Sequence, residues 1–397
     1  MKFSERIQRI QPSMTLAVDA KAKELRANGE DIISFGAGEP DFDTPEKIKQ
    51  AGITAIEKNI THYTPVGGID ALKLAIVNKF QRDNNLSYKK NQILVSCGAK
   101  HSLFNLAQVL WEKGDEIIVP APYWVSYPDI IRFAGAKPVI IDTLSSNEFK
   151  ITPNQINAAV TPNSRAIIIN SPSNPTGSAY NKEEMEKIAE CALRNKLLIV
   201  SDEIYEKVIF DGFKQHSICS ISKEIQDNSI LINGVSKSYA MTGWRIGYLA
   251  GNEEIIKQTA KLQGQSTSNP TSISQMASIT ALNDTEADVK QMVEEFQKRR
   301  DILLSCLLKI PYVECYKPAG SFYTFPDFSF FYGKSFKGKK IEGSVQLANF
   351  LLEEGKVALV PGIAFGADKN LRLSFASSIG TIKQGVDRIT KALRLLE

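Results

Sequence analysis

Little in this chain points to metals, disulfides or membranes. Its 397 residues include five cysteines and three histidines. Cys97, Cys191, Cys219, Cys306 and Cys315 are odd in number and form no CxxC pair. Neither a disulfide framework nor a thiolate metal site is expected from them, and reduced thiols suit a cytoplasmic protein. His62, His101 and His216 are scattered, so no metal centre is expected. No apolar run approaches the length of a membrane span. The opening MKFSERIQRI lacks an apolar core of signal-peptide length. The excess of one charge sign is small too: 48 Lys plus Arg against 44 Asp plus Glu leaves +4. The excess is spread along the chain apart from KSFKGKK, which offers no footprint for nucleic acid. There is no internal repeat and no low-complexity linker. A GxGxxG after the first strand is also missing, since GAGEPD near residue 36 fails the spacing, and a nicotinamide-type site is excluded.

What is present is an ordinary globular composition, 43% hydrophobic and 23% charged, long enough for about two domains. Between about residues 90 and 250, short β-rich runs alternate with helical patterns. The runs are QILVS, DEIIVP, KPVIID, RAIIIN, LLIVSD, SILING and IGYLAG, separated by amphipathic stretches such as KEEMEKIAECALRNK. Near-continuous apolar runs suit strands buried on both faces, and the alternation predicts an α/β domain with a mostly parallel sheet flanked by helices. Outside this region, helices mix with runs such as VALVPG and LRLSFA, which read as half-buried strands. The expected division is a large domain over residues 46–290 and a smaller α+β domain from 1–45 with 291–397. A helix around 285–305 would connect them.

Ligands on such sheets gather at the carboxyl ends of strands. After QILVS comes Cys97-Gly98-Ala99-Lys100, then a helix whose start offers backbone N–H groups to an anion. After RAIIIN comes Asn174 within SPSNPTG, the densest turn chemistry in the chain. After LLIV comes Asp202, with Tyr205 three positions on. After SILIN comes Gly234-Val235-Ser236-Lys237, with Arg245 eight positions further. Each has a plain reading alone: helix start, turn, helix cap, core tyrosine, solvated cation. Together they supply an anion cup, an amide, a carboxylate, a phenol and an amine. A lysine just past a buried strand can lose its proton through desolvation and neighbouring charge, which makes it a nucleophile toward aldehydes. Arg245 brings a planar fork suited to phosphate.

SKSYAMTGWRIG resembles the lysine signature of the class I aminotransferases, fold-type I enzymes dependent on pyridoxal phosphate. The resemblance continues along the chain, in the family's order, through GEPDFDTP, HYTPVGG, APYWVSYP, NSPSNPTG, VSDEIYE and RLSFA. The pattern looks most like a bacterial subgroup acting on aspartate. The resemblance implies that Lys237 forms the Schiff base with the cofactor and later carries the proton. It implies that Asp202 balances the ring nitrogen, that Asn174 and Tyr205 bind the ring's phenolate oxygen, and that Trp124 stacks on the ring. Gly98, Ala99, Lys100, Ser236 and Arg245 would line the phosphate pocket. Tyr63 would reach the phosphate of a neighbouring subunit, which implies a homodimer with shared sites.

The resemblance also sets expectations for substrates, which would be amino acids and 2-oxo acids. Arg372 in LRLSF would grip the α-carboxylate, beside Gly38, Trp124 and Asn174. Lys100 could meet a side-chain carboxylate or serve the phosphate alone. The expected reaction moves the amino group of L-aspartate to 2-oxoglutarate in ping-pong fashion. Aromatic transamination, β-elimination or a non-catalytic regulatory module are the alternatives. Gln11 stands where a basic residue accompanies prephenate use. One departure is Gly234, where several relatives carry a serine; one phosphate hydroxyl would then be missing.

Overall fold

A computed structural model describes residues 1–397. A two-residue strand, β1 (Ile33–Ser34), precedes the main sheet. The seven apolar runs become β2 (Ile93–Ser96), β3 (Glu116–Ala121), β4 (Lys137–Asp142), β5 (Ser164–Asn170), β6 (Leu198–Asp202), β7 (Ser229–Gly234) and β8 (Gly247–Ala250). They form one sheet in the order β2-β8-β7-β6-β5-β3-β4. All pairings among β4, β3, β5, β6 and β7 are parallel, and β8 runs against both β7 and β2. Ile117, Ile118 and Val119, like Ile167 to Ile169, are buried on both faces, which is why the runs are continuously apolar instead of alternating.

The helices between strands carry their own start signals. Asn181 caps Lys182–Arg194 reciprocally with Glu184, and Thr152 does so with Gln155 ahead of Pro153–Ala159. The first lays an apolar stripe of Met185, Ile188, Ala189 and Ala192 on the core, while the shorter second buries Ile156.

Two further sheets come from segments distant in sequence. β9 (Tyr323–Thr324) is followed by a small hairpin, β10 (Ser335–Phe336) with β11 (Lys339–Lys340). Then come β12 (Val357–Ala358), β13 (Val360–Pro361) and β14 (Leu371–Ser374). β1 pairs with β12 in parallel, tying the N-terminal segment to the C-terminal one. β13, β14 and β9 form an antiparallel sheet. The run VALVPG is thus one strand in the expectation and two in the fold, shared between different sheets. LRLSFA was expected to be half-buried, yet Arg372 and Ser374 are only 2% and 1% exposed. One face of β14 joins Phe375, Ile382 and Ile389 in a core, while its polar face turns inward on the loop after β5.

The helix Glu286–Leu307 passes from one core to the other: Val289 belongs with the main sheet, and Met292 and Phe296 belong with β9 and β14. No helix is long and apolar enough to cross a membrane.

Candidate active site

Because β2, β3, β5, β6 and β7 are mutually parallel, their carboxyl ends share one edge. β8 runs the other way, so its start lies at that same edge. Arg245, just before β8, is therefore delivered beside Lys237, just after β7. Above this edge is a cavity of about 420 Å³. Its walls include Gly38, Ala99, Lys100, Trp124, Asn174, Asp202, Tyr205, Ser236, Lys237, Arg245 and Arg372. Eleven of the thirteen expected site residues are brought together. Gly98 lies directly behind the wall, and Tyr63 stands apart with its side chain 93% exposed.

Lys237 Nζ donates to the Gly38 carbonyl at 2.5 Å. Enclosure strips water from this amine, and although Glu39 pulls the other way, Arg372, Arg245 and Lys100 add to the effect. Its pKa falls to about 8. Asp202 is buried at the end of β6; it accepts from Tyr127 Oη at 2.6 Å and from the Ile204 N–H at 3.2 Å. Burial pushes its carboxyl upward, against which Tyr127, the Ile204 amide and Lys237 favour the charged form.

The cup expected to hold the phosphate is shaped by close backbone approach. Gly98 has φ +92, and a Cβ there would lie 2.5 Å from Arg245 Nη2. A Cβ on Gly247 would lie 2.1 Å from the Ala99 nitrogen. The helix Ala99–Leu110 therefore begins against β8, with its first N–H groups facing the cavity edge. Arg245 adopts left-handed backbone and donates to the Thr242 and Cys97 carbonyls. Gly234 is also close-packed, since a Cβ would meet Gly247 Cα at 2.9 Å. A serine at this position has no room here, which accounts for the departure noted in the sequence.

Arg372 is buried between the faces of Tyr323 and Phe365, at 4.4 and 5.1 Å from their centroids. It donates to Asn174 Oδ1 at 3.1 Å and to the Gly36 carbonyl at 2.9 Å, while its Nε has no partner. Lys100 Nζ sits over the Trp124 ring at 5.0 Å. The hydrogen-bond and ring partners of Lys100, Lys237, Arg245 and Arg372 are carbonyls, an amide oxygen and aromatic rings. None forms an ion pair with a carboxylate, although Glu39 also lines the cavity and acts on Lys237 from a distance.

The sequence reading missed Tyr127, Tyr323, Glu39 and Thr242. Tyr127 lies within the quoted APYWVSYP, but nothing in its spacing marks it as the partner of a residue 75 positions away. Glu39 accepts from Thr242 at 2.6 Å, joining the GEPDFDTP loop to the lysine loop.

The profile of the family described as "Aminotransferase class I and II" matches residues 30–389. The chain belongs to this family. Class I and II aminotransferases depend on pyridoxal phosphate, and the chain is an enzyme of that kind. Its substrates are amino acids and 2-oxo acids. It is 48% identical over 392 residues to an aspartate aminotransferase of Geobacillus stearothermophilus, covering 98% of each chain. The aspartate aminotransferase structure from Rhizobium meliloti superposes with a TM-score of 0.97 at 41% identity, over 100% of both chains. A Thermus thermophilus aspartate aminotransferase solved with maleate gives 0.93 at 40% identity, over 99% of this chain and 100% of that one.

The aminotransferase cavity fits its cofactor. Asp202 is a buried carboxylate without an ion-pair partner, as a protonated ring nitrogen requires. Gly98 leaves space over Arg245 that any side chain would fill. The Arg372 Nε is a buried donor lacking an acceptor, which an anionic ligand would supply.

Proposed function

We propose that the chain is an aspartate aminotransferase, moving the amino group of L-aspartate to 2-oxoglutarate and releasing oxaloacetate and L-glutamate. One observation carries the reading: four cations without carboxylate partners line a cavity that also holds a buried, unpaired carboxylate. Such a cavity favours a cofactor with an anionic tail and a cationic ring nitrogen, together with a dicarboxylic substrate. The likeness to aspartate aminotransferases, one of them holding the dicarboxylate maleate, supports the same choice.

Bound pyridoxal phosphate supplies an electrophilic aldehyde carbon and a ring that accepts electrons from the substrate's α-carbon. Lys237 Nζ would hold the cofactor covalently and, as a free amine, would take the substrate's Cα proton and return it in general acid–base catalysis. Its lowered pKa keeps a usable fraction unprotonated. Asp202 would balance the charge of the ring nitrogen. Asn174 has its oxygen committed to Arg372, which leaves its amide N–H free for the cofactor's ring oxygen, beside Tyr205. Trp124 would stack on the ring, while Ala99, Ser236 and Arg245 would bind the phosphate. Arg372 holds the α-carboxylate by its fork, equally in amino and oxo acid, which suits ping-pong turnover. Lys100 is free to meet the distal carboxylate. The carbonyl of Gly38 faces Lys237, so this loop orients the amine as well as closing over the substrate.

Exposed Tyr63 completes the phosphate site of a second copy in a homodimer. The large domain spans 46–290 and the smaller one joins 1–45 to 291–397, with the strand pair β1 and β12 in support. Five unpaired thiols fit a cytoplasmic setting. A coupled assay of amino-acid donors with 2-oxoglutarate tests the specificity. Aspartate is expected to lead, and a clear preference for phenylalanine overturns it.

A further inference from the structure

Tyr323 belongs to neither the lysine loop nor the strand ends of the main sheet. It is fully buried in β9, and the register places Ser374 of β14 directly opposite. Arg372, two residues before Ser374, is its diagonal neighbour on the same sheet face, within reach of a long side chain. The guanidinium of Arg372 indeed lies 4.4 Å from the Tyr323 ring centroid. At its other end, the Tyr323 hydroxyl is 3.1 Å from the hydroxyl of Tyr205. The two rings meet edge to face at 5.9 Å, so neither can rotate freely. One side chain therefore touches the arginine of the carboxylate site with its face and the phenol of the cofactor site with its tip.

We infer that Tyr323 is a positioning residue that couples the two halves of the site: its ring holds the Arg372 fork, and its hydroxyl directs the Tyr205 hydroxyl onto the cofactor. The inference rests on the aminotransferase reading above. A phenol has a single proton to give. If Tyr205 donates that proton to the ring oxygen, its 3.1 Å contact with Tyr323 can only run from the Tyr323 hydroxyl as donor. The alternative direction, Tyr205 donating to Tyr323, would spend the Tyr205 proton away from the cofactor. The Tyr323 ring provides a second effect. A buried guanidinium without a carboxylate partner gains from an aromatic face in a desolvated site.

Two variants separate the roles. Tyr323→Phe keeps the ring and removes the hydroxyl; Tyr323→Leu removes both. The readouts are the pH titration of the bound cofactor's visible absorbance and the dissociation constant of maleate, an unreactive dicarboxylate. A donor to the ring oxygen favours the deprotonated chromophore, so losing its orientation raises the titration midpoint. Tyr323→Phe is expected to raise that midpoint by about half a pH unit or more and to change maleate affinity less than about twofold. Tyr323→Leu is expected to raise the midpoint similarly and to weaken maleate by about tenfold. An unmoved midpoint in both variants, with wild-type maleate binding in the leucine variant, overturns the inference. Wild-type protein that stays colourless with pyridoxal phosphate overturns the aminotransferase reading itself.

Discussion

The hydroxyl of Tyr127 donates to Asp202 Oδ2 at 2.6 Å, with both side chains buried at the carboxyl edge of the main sheet. Burial pushes the Asp202 carboxyl upward; this bond, the Ile204 amide and Lys237 oppose that push and favour the charged form. A ring nitrogen needs that charge, and a neutral isostere cannot supply it. Asp202→Asn is expected to lower kcat by about 10²-fold or more, from the loss of a charge-assisted bond of about 3 kcal/mol. Steady-state kinetics with saturating cofactor check this. A wild-type rate would remove Asp202 from the chemistry.

The amine of Lys237 should show its altered proton affinity during cofactor uptake. Its pKa of about 8 lies below the free-lysine value, so the neutral form grows as pH rises and is nearly complete a unit above 8. Uptake of pyridoxal phosphate by cofactor-free protein, followed by visible absorbance, should rise about fifty-fold from pH 6 to 8 and level off above about 9. An uptake rate still climbing tenfold per unit at pH 10 would contradict an enclosed amine. Lys237→Ala should abolish covalent uptake and transamination together.

Arg372→Lys replaces a fork with a point charge and cannot reproduce both the Asn174 and Gly36 contacts. KM should rise by about 10- to 10²-fold for the amino acid and the oxo acid alike, because both present the same carboxylate. Initial-rate measurements in the two half-reactions would show it. A defect confined to one of them counts against the assignment.

The two readings of Lys100 can be separated by a donor comparison. If it meets the distal carboxylate, Lys100→Ala should cost aspartate about tenfold or more in kcat/KM and leave alanine, which lacks that group, nearly unchanged. Equal losses for both donors would assign Lys100 to the phosphate.

Gly98→Ala adds both left-handed strain and a Cβ 2.5 Å from Arg245 Nη2, whereas Gly114→Ala, at φ +105, meets nothing within 4 Å. Backbone strain of about 1–3 kcal/mol should appear in both thermal melts. Only the Gly98 variant should also lose cofactor affinity. Matching cofactor affinities for the two variants would show that the cup tolerates a side chain.

The sequence by itself determined the seven strands of the main sheet and the residues at their carboxyl ends. It also determined their burial on both faces, except for the edge strand β4, whose apolar run KPVIID stays half-exposed because no strand covers its outer side. Those features are local: apolar runs such as RAIIIN, a capping box such as Asn181 with Glu184, and small residues next to Lys237 each declare themselves within a few positions. β8 is the limit of that logic. Its run looks like its neighbours, and only pairing with β7 and β2 shows it reversed, which is what brings Arg245 beside Lys237.

What the tertiary structure decided is which distant groups share the cavity. LRLSFA reads as half solvent-facing because alternation records polarity, not what lies opposite; the polar face of β14 meets Asn174 instead of water. Tyr127 with Asp202, and Tyr323 with Tyr205 and Arg372, are joined across 75, 118 and 49 positions by strand order and register. No periodicity encodes such contacts. They exist because a buried charge or hydroxyl must find a partner wherever the folded chain places one.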